Sequence, residues 1–246
     1  MDYLPAWVVL DDESVMRGGI ASSQAHGAKG GIEMRRSLLA CFGTFALVLA
    51  AFPTTADAAS SSGWKIYSYN SGGGLSSKQA TGDATSVARF EFLSTPDDAL
   101  LAIKQPDGAH GTLNGKTITA TFAIEGVATF EYYGQPDACG APANTRLYFS
   151  TNGPFAYTNF WWSNPESAAL TGPGTATVTA NVNPGLWSDW NGQFGTVDAE
   201  TTAAFQAAAA DPDLVGLSFG GGCFFENGVG TPTGSATFTL TGFEIK

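Results

Sequence analysis

The chain has 246 residues and a formal charge of −11, with 11 Lys and Arg against 22 Asp and Glu. That balance excludes the clustered basic surface that binds nucleic acid or anionic lipid. Two histidines in the whole chain leave little room for His-based triads or metal centres, while 43 % apolar and 12 % aromatic residues suffice for a packed core rather than a disordered chain.

The first 58 residues read as an address. Met34-Arg35-Arg36 precedes an apolar stretch from Leu38 to Phe52, and Pro53 then leads to Ala56-Asp57-Ala58. This is the order of a secretory signal peptide: positive n-region, short h-region, small-residue cleavage site. The apolar run is too short for a comfortable membrane span, so no membrane insertion is expected. Residues 1–33, with Asp11, Asp12 and Glu13, fit no such leader. They are expected to be a mis-called upstream start, because Lys29-Gly30-Gly31 can be encoded by a purine-rich ribosome-binding sequence two codons ahead of Met34. A genuine disordered leader is the alternative. Cys41 follows Leu38-Leu39-Ala40 as in a lipobox, but the apolar run lies after it rather than before it. The expected product is residues 59–246, exported to the periplasm or the exterior, in which seven Lys or Arg stand against sixteen Asp or Glu.

Beyond residue 63 the pattern is period-2 alternation, rich in Thr, Val and aromatics as a half-buried pleated surface favours. It predicts strands over 64–69, 87–93, 117–124, 127–133, 146–150, 157–162, 175–182, 214–219 and 236–245, with shorter runs at 99–103 and 223–225. One segment departs from it. Residues 198–210 are Ala-rich, start at the N-capping residue Asp198 and stop at Asp211-Pro212, which predicts one short helix. With no linker and no repeat inside 63–246, the expected fold is all-β: a single antiparallel β-sandwich, jelly-roll-like, with one short helix near 198–210. Cys139 and Cys223 are the cysteines left after cleavage. In an exported chain an even count suggests a disulfide, which would contribute roughly 4–5 kcal/mol by closing so long a loop. Two separately buried thiols are the alternative.

The candidate ligand contacts lie in the second half. Trp161 and Trp162 are adjacent on a predicted strand and must point to opposite faces. One can fill the core; the other, beside Asn164, meets a ligand, a loop or solvent. Leu186-Trp187-Ser188-Asp189-Trp190-Asn191 places two more indoles in a Pro/Gly-bounded polar loop. Indoles beside amides and carboxylates suit sugar binding, because the flat ring covers the C–H face of a pyranose and the polar groups take its hydroxyls. The competing expectation is that Trp187 and Trp190 cap the sandwich edge. Glu226 and Asn227 follow Gly220-Gly221-Gly222, a stretch without the Lys or following helix of a phosphate cradle. They are either ligand contacts or parts of a loop pinned by Cys223. Arg146 is one of two arginines in 59–246, so its charge needs a local reason: an ion pair with a carboxylate, or a bidentate contact to a ligand.

Catalysis is hard to build. His110 lies in the turn Asp107-Gly108-Ala109-His110-Gly111, and no G-x-S-x-G, H-E-x-x-H or P-loop occurs. Glu125, Glu131, Asp189 and Glu226 are the carboxylates from which a glycosidase pair could be drawn, yet no spacing singles one out. No catalytic residue and no cofactor is assigned. Calcium could use Asp97 and Asp98, or Asp211 and Asp213, but these read as solvated turns.

The closing run Gly234-Ser235-Ala236-Thr237-Phe238-Thr239-Leu240-Thr241-Gly242-Phe243-Glu244-Ile245, and the Phe205-Gln206-Ala207-Ala208 helix ahead of Leu217-Ser218-Phe219, resemble galactose-binding-like, carbohydrate-binding jelly-roll modules of exported bacterial proteins. The resemblance covers about 145–246. It implies a β-sandwich that binds polysaccharide or a cell-surface glycan, often with a structural calcium, and it transfers no binding residue. Three functions follow in order: a secreted, non-catalytic binding module using exposed tryptophans; a carbohydrate-active hydrolase with a pair such as Glu131 and Glu226; or a structural envelope or matrix protein.

Overall fold

Alternating hydrophobicity builds most of the molecule. The computed structural model describes residues 60–69, 75–82, 85–104, 110–133, 142–222 and 225–246. The expectations for residues 1–58 and for the Cys139–Cys223 pair lie outside them. The strands are β1 Ser60–Tyr69, β2 Leu75–Gly82, β3 Ala88–Glu91, β4 Asp98–Lys104, β5 Thr117–Glu125, β6 Ala128–Tyr132 and β7 Asn144–Ser150. They continue as β8 Phe160–Ser163, β9 Ala168–Ala169, β10 Gly174–Asn181, β11 Trp187–Asp189, β12 Leu214–Gly220, β13 Val229–Gly234 and β14 Thr237–Ile245. Among the described residues one α-helix, α1 Ala199–Ala210, interrupts them.

Among the described residues every strand pairing is antiparallel. The strands run in the order β10-β5-β14-β3-β2-β1-β4-β12-β7-β8-β11, with β13 joined to β4 and β6, and β9 joined to β7. The sheet curls until β10 comes against β7 and β9. This is the expected all-β, jelly-roll-like architecture, with the expected helix near 198–210.

The curl encloses one core. In β5, Ile118, Ala120, Phe122 and Ile124 point inward and the threonines between them point out. Opposite them stand Leu147 and Phe149 of β7 and Leu217 and Phe219 of β12. Phe238 of β14 joins the two sides, stacked on Phe122 at 4.8 Å and edge-on to Phe219 at 5.3 Å. Offset and edge-to-face rings of this kind add roughly 1 kcal/mol per pair beyond the area they bury.

Helix α1 closes one side of that core. The Asp198 carboxylate accepts the Thr201 N–H at 2.7 Å, satisfying one of the free donors of the first turn. The helix buries Phe205 edge-on against Trp161 at 4.9 Å and against Phe149 at 5.7 Å. Asp211 and Pro212 end it, as proline cannot continue a helix.

Four elements differ from expectation. Residues 157–159 form a 3-10 turn rather than the start of a strand, and β8 begins only at Phe160. Trp187–Asp189, expected in an open polar loop, pairs as strand β11 with Trp161–Ser163. Strands β2 and β13 have no apolar alternation to announce them; β2 reads Leu-Ser-Ser-Lys-Gln-Ala-Thr-Gly and is held by pairing to β1. The predicted run at 223–225 falls partly outside the described residues.

Candidate functional site

An antiparallel sheet usually packs one face and wets the other. Strand β7 breaks that rule, since every residue from Asn144 to Ser150 is buried. Its odd residues, Leu147 and Phe149, belong to the core. Its even residues, Asn144, Arg146 and Tyr148, lie on the opposite face, where a second apolar cluster covers Tyr148 and reaches Arg146 through Phe225. That cluster centres on Ala99 and Leu100 of β4, Tyr148 of β7 and Trp162 of β8, with Tyr67, Phe160, Trp190, Leu214 and Phe225 packed around it.

The two adjacent tryptophans part as strand geometry demands. Trp161 enters the core, fully buried, and its indole N–H donates to the Thr158 carbonyl at 2.8 Å. Trp162 takes the opposite face with Phe160, two residues earlier, their rings nearly parallel at 6.4 Å. Trp190 leans on both, at 5.7 Å from Trp162 and 5.4 Å from Phe160. Phe155 extends the group outward, 5.9 Å from Phe160 and 5.5 Å from Tyr157. Phe155 is 65 % and Tyr157 46 % exposed, against 2 % for Trp162. The face is therefore a graded aromatic platform, sealed at Trp162 and open to solvent at Phe155.

At the other end of the platform lies Arg146. Its Nη1 donates to the Ser163 carbonyl at 2.8 Å and to the Pro165 carbonyl at 3.3 Å. The ring of Phe225 lies 4.2 Å from its Cζ, a cation–π contact. Phe225 also reaches Trp162, at 6.2 Å between ring centres. Ser218 on β12 holds this loop by donating its hydroxyl to the Phe225 carbonyl. Burial pushes the Arg146 guanidinium down to about 10, while the charge of Glu166 acts the other way. It stays protonated at neutral pH. Its local reason is thus two backbone carbonyls, an aromatic ring and a nearby carboxylate, rather than a closed ion pair among the described residues.

Four polar atoms in this region are buried and make no hydrogen bond among the described residues: Asn144 Oδ1, Arg146 Nε, Trp162 Nε1 and Glu166 Oε2. Leaving such an atom unsatisfied costs roughly 1–3 kcal/mol, so natural folds keep few of them. In the loop that carries Phe225, burial pushes the Glu226 carboxyl up to about 8.

No protein-family model matches this chain, and no curated protein matches it in sequence. Among solved structures it is similar to a xylan-binding module CBM15, at a TM-score of 0.34 and 17 % identity, covering 72 % of this chain and 90 % of that one. The functional reading rests on the aromatic face and not on this likeness.

Of the residues singled out in the sequence, the fold gathers Arg146, Trp162 and Trp190 on one face, with Glu226 next to Phe225 at its border. It removes Trp161 and Trp187. Trp187 is fully buried, 4.9 Å from the Phe149 ring, with its N–H donated to the Asn181 carbonyl at 2.8 Å. The expectation that it projects from a polar loop is corrected by the pairing of β11 with β8, which turns it inward. Three of the polar candidates are engaged by groups around them. Asp189 is buried and accepts the N–H groups of Asn191 and Gln193, each at 2.9 Å. Asn164 donates to the Ser188 hydroxyl at 2.8 Å. Asn227 accepts the Gly221 N–H at 3.0 Å and donates to the Tyr133 carbonyl. Asn191 is exposed beside Trp190.

The platform's other members, Phe155, Tyr157, Phe160, Tyr148 and Phe225, go unmarked by a search for tryptophans. Counting back by two from Trp162 to Phe160, and noting Phe155 and Tyr157 just upstream, was the available signal.

The carboxylates offered for catalysis or calcium are also placed. Glu125 pairs with Arg89 at 3.1 Å on an exposed surface, and Glu131 is exposed on β6. Asp98, expected in a solvated turn, is instead fully buried, accepting the Ser68 hydroxyl at 2.6 Å and the Leu93 N–H at 3.0 Å. Asp213 accepts the Asn152 N–H. No three His, Cys, Asp or Glu side chains converge among the described residues. Nor is any helix among them long and apolar enough to cross a membrane.

Proposed function

We propose that this chain is an exported, non-catalytic carbohydrate-binding protein whose glycan lies along the aromatic face of β7 and β8. The observation that carries the reading is the platform itself: exposed Phe155 and Tyr157 in ring contact, with half-buried Phe160 and Trp190 packed against Phe155 behind them. Flat rings offer a sugar its stacking surface. Asn191, exposed beside Trp190, offers a hydroxylated ligand a polar partner at the edge of the rings. Hydrolysis is the weaker reading: of the four carboxylates offered for it, Glu125 is committed to Arg89, Asp189 to its own turn, and Glu131 stands exposed on β6.

The test is retardation in native gels containing neutral polysaccharides, together with quenching or shift of indole fluorescence. Phe155→Ala is expected to weaken binding at least tenfold while keeping the denaturation midpoint, and Trp190→Ala to weaken binding at least as much while lowering the midpoint, because its half-buried ring packs on Trp162 and Phe160. Trp161→Ala and Trp187→Ala are expected to lose roughly 3–5 kcal/mol of stability, as core truncations do. Equal retention of Trp190→Ala and the unsubstituted protein across every retarding polymer would overturn the assignment.

A further inference from the structure

A second cleft, of about 620 Å³, opens away from the aromatic face, where the loop at Asn114 and the end of β10 meet helix α1. Its volume lies within the range of small-molecule sites. No charged side chain lines it; its polar lining is four carboxamides. Three of these are fixed by bonds that leave one end free. Asn181 Oδ1 accepts the Thr117 hydroxyl at 2.6 Å, which leaves its NH2 group available. Asn183 Oδ1 accepts the Gly185 N–H at 2.9 Å, capping the 3-10 turn Pro184–Leu186, and likewise leaves its NH2 available. Asn114 donates Nδ2 to the Gln206 carbonyl at 2.8 Å, leaving its Oδ1 as an acceptor. The fourth, the Gln206 side chain, projects from an exposed position of α1.

The frame around these amides is held by backbone bonds. The Val182 N–H donates to the Lys116 carbonyl at 2.7 Å, and the Leu113 N–H donates to the Ala209 carbonyl at 2.7 Å. Val182, Pro184 and Leu186 supply an apolar lining between the amides. Donors and acceptors already oriented around C–H surface lower the ordering cost of a ligand that needs both. The absence of charge in the lining disfavours an anion or a metal ion. The requirement for paired donors and acceptors disfavours a purely apolar ligand.

From this we infer that the amide-lined cleft is a second binding site, specific for a neutral, hydroxyl-rich ligand such as one unit of an uncharged glycan. It is separate from the aromatic platform. Helix α1 packs on the core side of β7 and β8 through Phe205, whereas Phe160, Trp162 and Trp190 occupy the other side. One sugar unit cannot occupy both.

The test is a nitrogen-15 titration of the full-length protein with xylohexaose, cellohexaose and mannohexaose, following side-chain NH2 resonances. The resonances of Asn181 and Asn183 are expected to shift and saturate with at least one of the three. Trp190→Ala is expected to leave that half-saturation unchanged. Gln206→Ala is expected to raise it about threefold to tenfold, the loss of one neutral hydrogen bond. That substitution keeps the fold, since the side chain is exposed and Ala is the best helix former. Amide resonances that stay still with all three sugars overturn the inference. So do shifts that vanish in Trp190→Ala, which would leave a single site on the platform. The aromatic reading fails by a different result, the lack of an indole response, so the two can be told apart.

Discussion

Glu226 shows what the border of the aromatic face does to one ionisable group. Burial lifts its carboxyl from 4.5 to about 8. The folded chain therefore keeps a proton that the unfolded chain releases above about 4.5. Between those two values the folded state binds more protons than the unfolded state, so stability falls as pH rises; above about 8 both states are ionised and the dependence ends. The slope in that window is at most about 1.4 kcal/mol per pH unit. Glu226→Gln removes the titration and is expected to flatten the curve. Urea unfolding of both proteins at pH 5, 6.5 and 8 measures this, and parallel curves would show that Glu226 is solvated in the folded protein. The tryptophans make the complementary point. Trp161 and Trp162 are neighbours in sequence, yet one stabilises the core and the other supports the outer cluster, because a strand alternates its side chains. Period-2 reasoning requires that division. It does not say which face also collects Trp190, Phe155 and Phe225, since those come from loops whose course depends on contacts remote in sequence.

Strands with strong alternation were legible in the sequence, and those held by their neighbours were not. β5, β10, β12 and β14 match expectation to within one residue at either end. α1 starts one residue after its predicted cap, Asp198. β2 and β11 carry little local signal, and exist because β1 and β8 offer them an edge to pair with. That is why Trp187 was misplaced: three residues flanked by proline and glycine read as a loop until the partner strand is known. β12 holds another feature that only packing explains. Gly216 sits between β4 and β7, and a Cβ there would stand 2.1 Å from the Leu101 carbonyl oxygen and 2.7 Å from Ala102 Cα. The clash is with backbone, so no rotamer change relieves it. Gly216→Ala is expected to cost about 3 kcal/mol or more, read from a lowered midpoint in denaturant. An unchanged midpoint would mean that β4 and β12 separate there without penalty.

At the scale of the whole molecule the ligand question becomes one of charge. The chain carries −11, and its field extends over a Debye length of about 10 Å at 0.1 M salt. Ring stacking and hydrogen bonds to uncharged hydroxyls release no counterions, so binding of a neutral glycan is expected to be indifferent to ionic strength. A polyanion meets repulsion that salt relieves. Arg146 does little to change this, since its guanidinium is stacked on Phe225 and bonded to two backbone carbonyls. The expected result is a dissociation constant for neutral polysaccharide that stays level from low salt to near-molar sodium chloride. Any binding of a polyuronate should be weaker at low salt and strengthen as salt is added. Affinity for a neutral polymer that declines steadily with added salt would point instead to ionic contacts. The aromatic platform would then be a bystander and Arg146 the residue to pursue. Burial of apolar surface gives a second signature of stacking, a negative heat-capacity change on binding. Calorimetry at several temperatures should find it for the unsubstituted protein and find it reduced in Trp190→Ala, because that ring and the sugar face it covers leave water together.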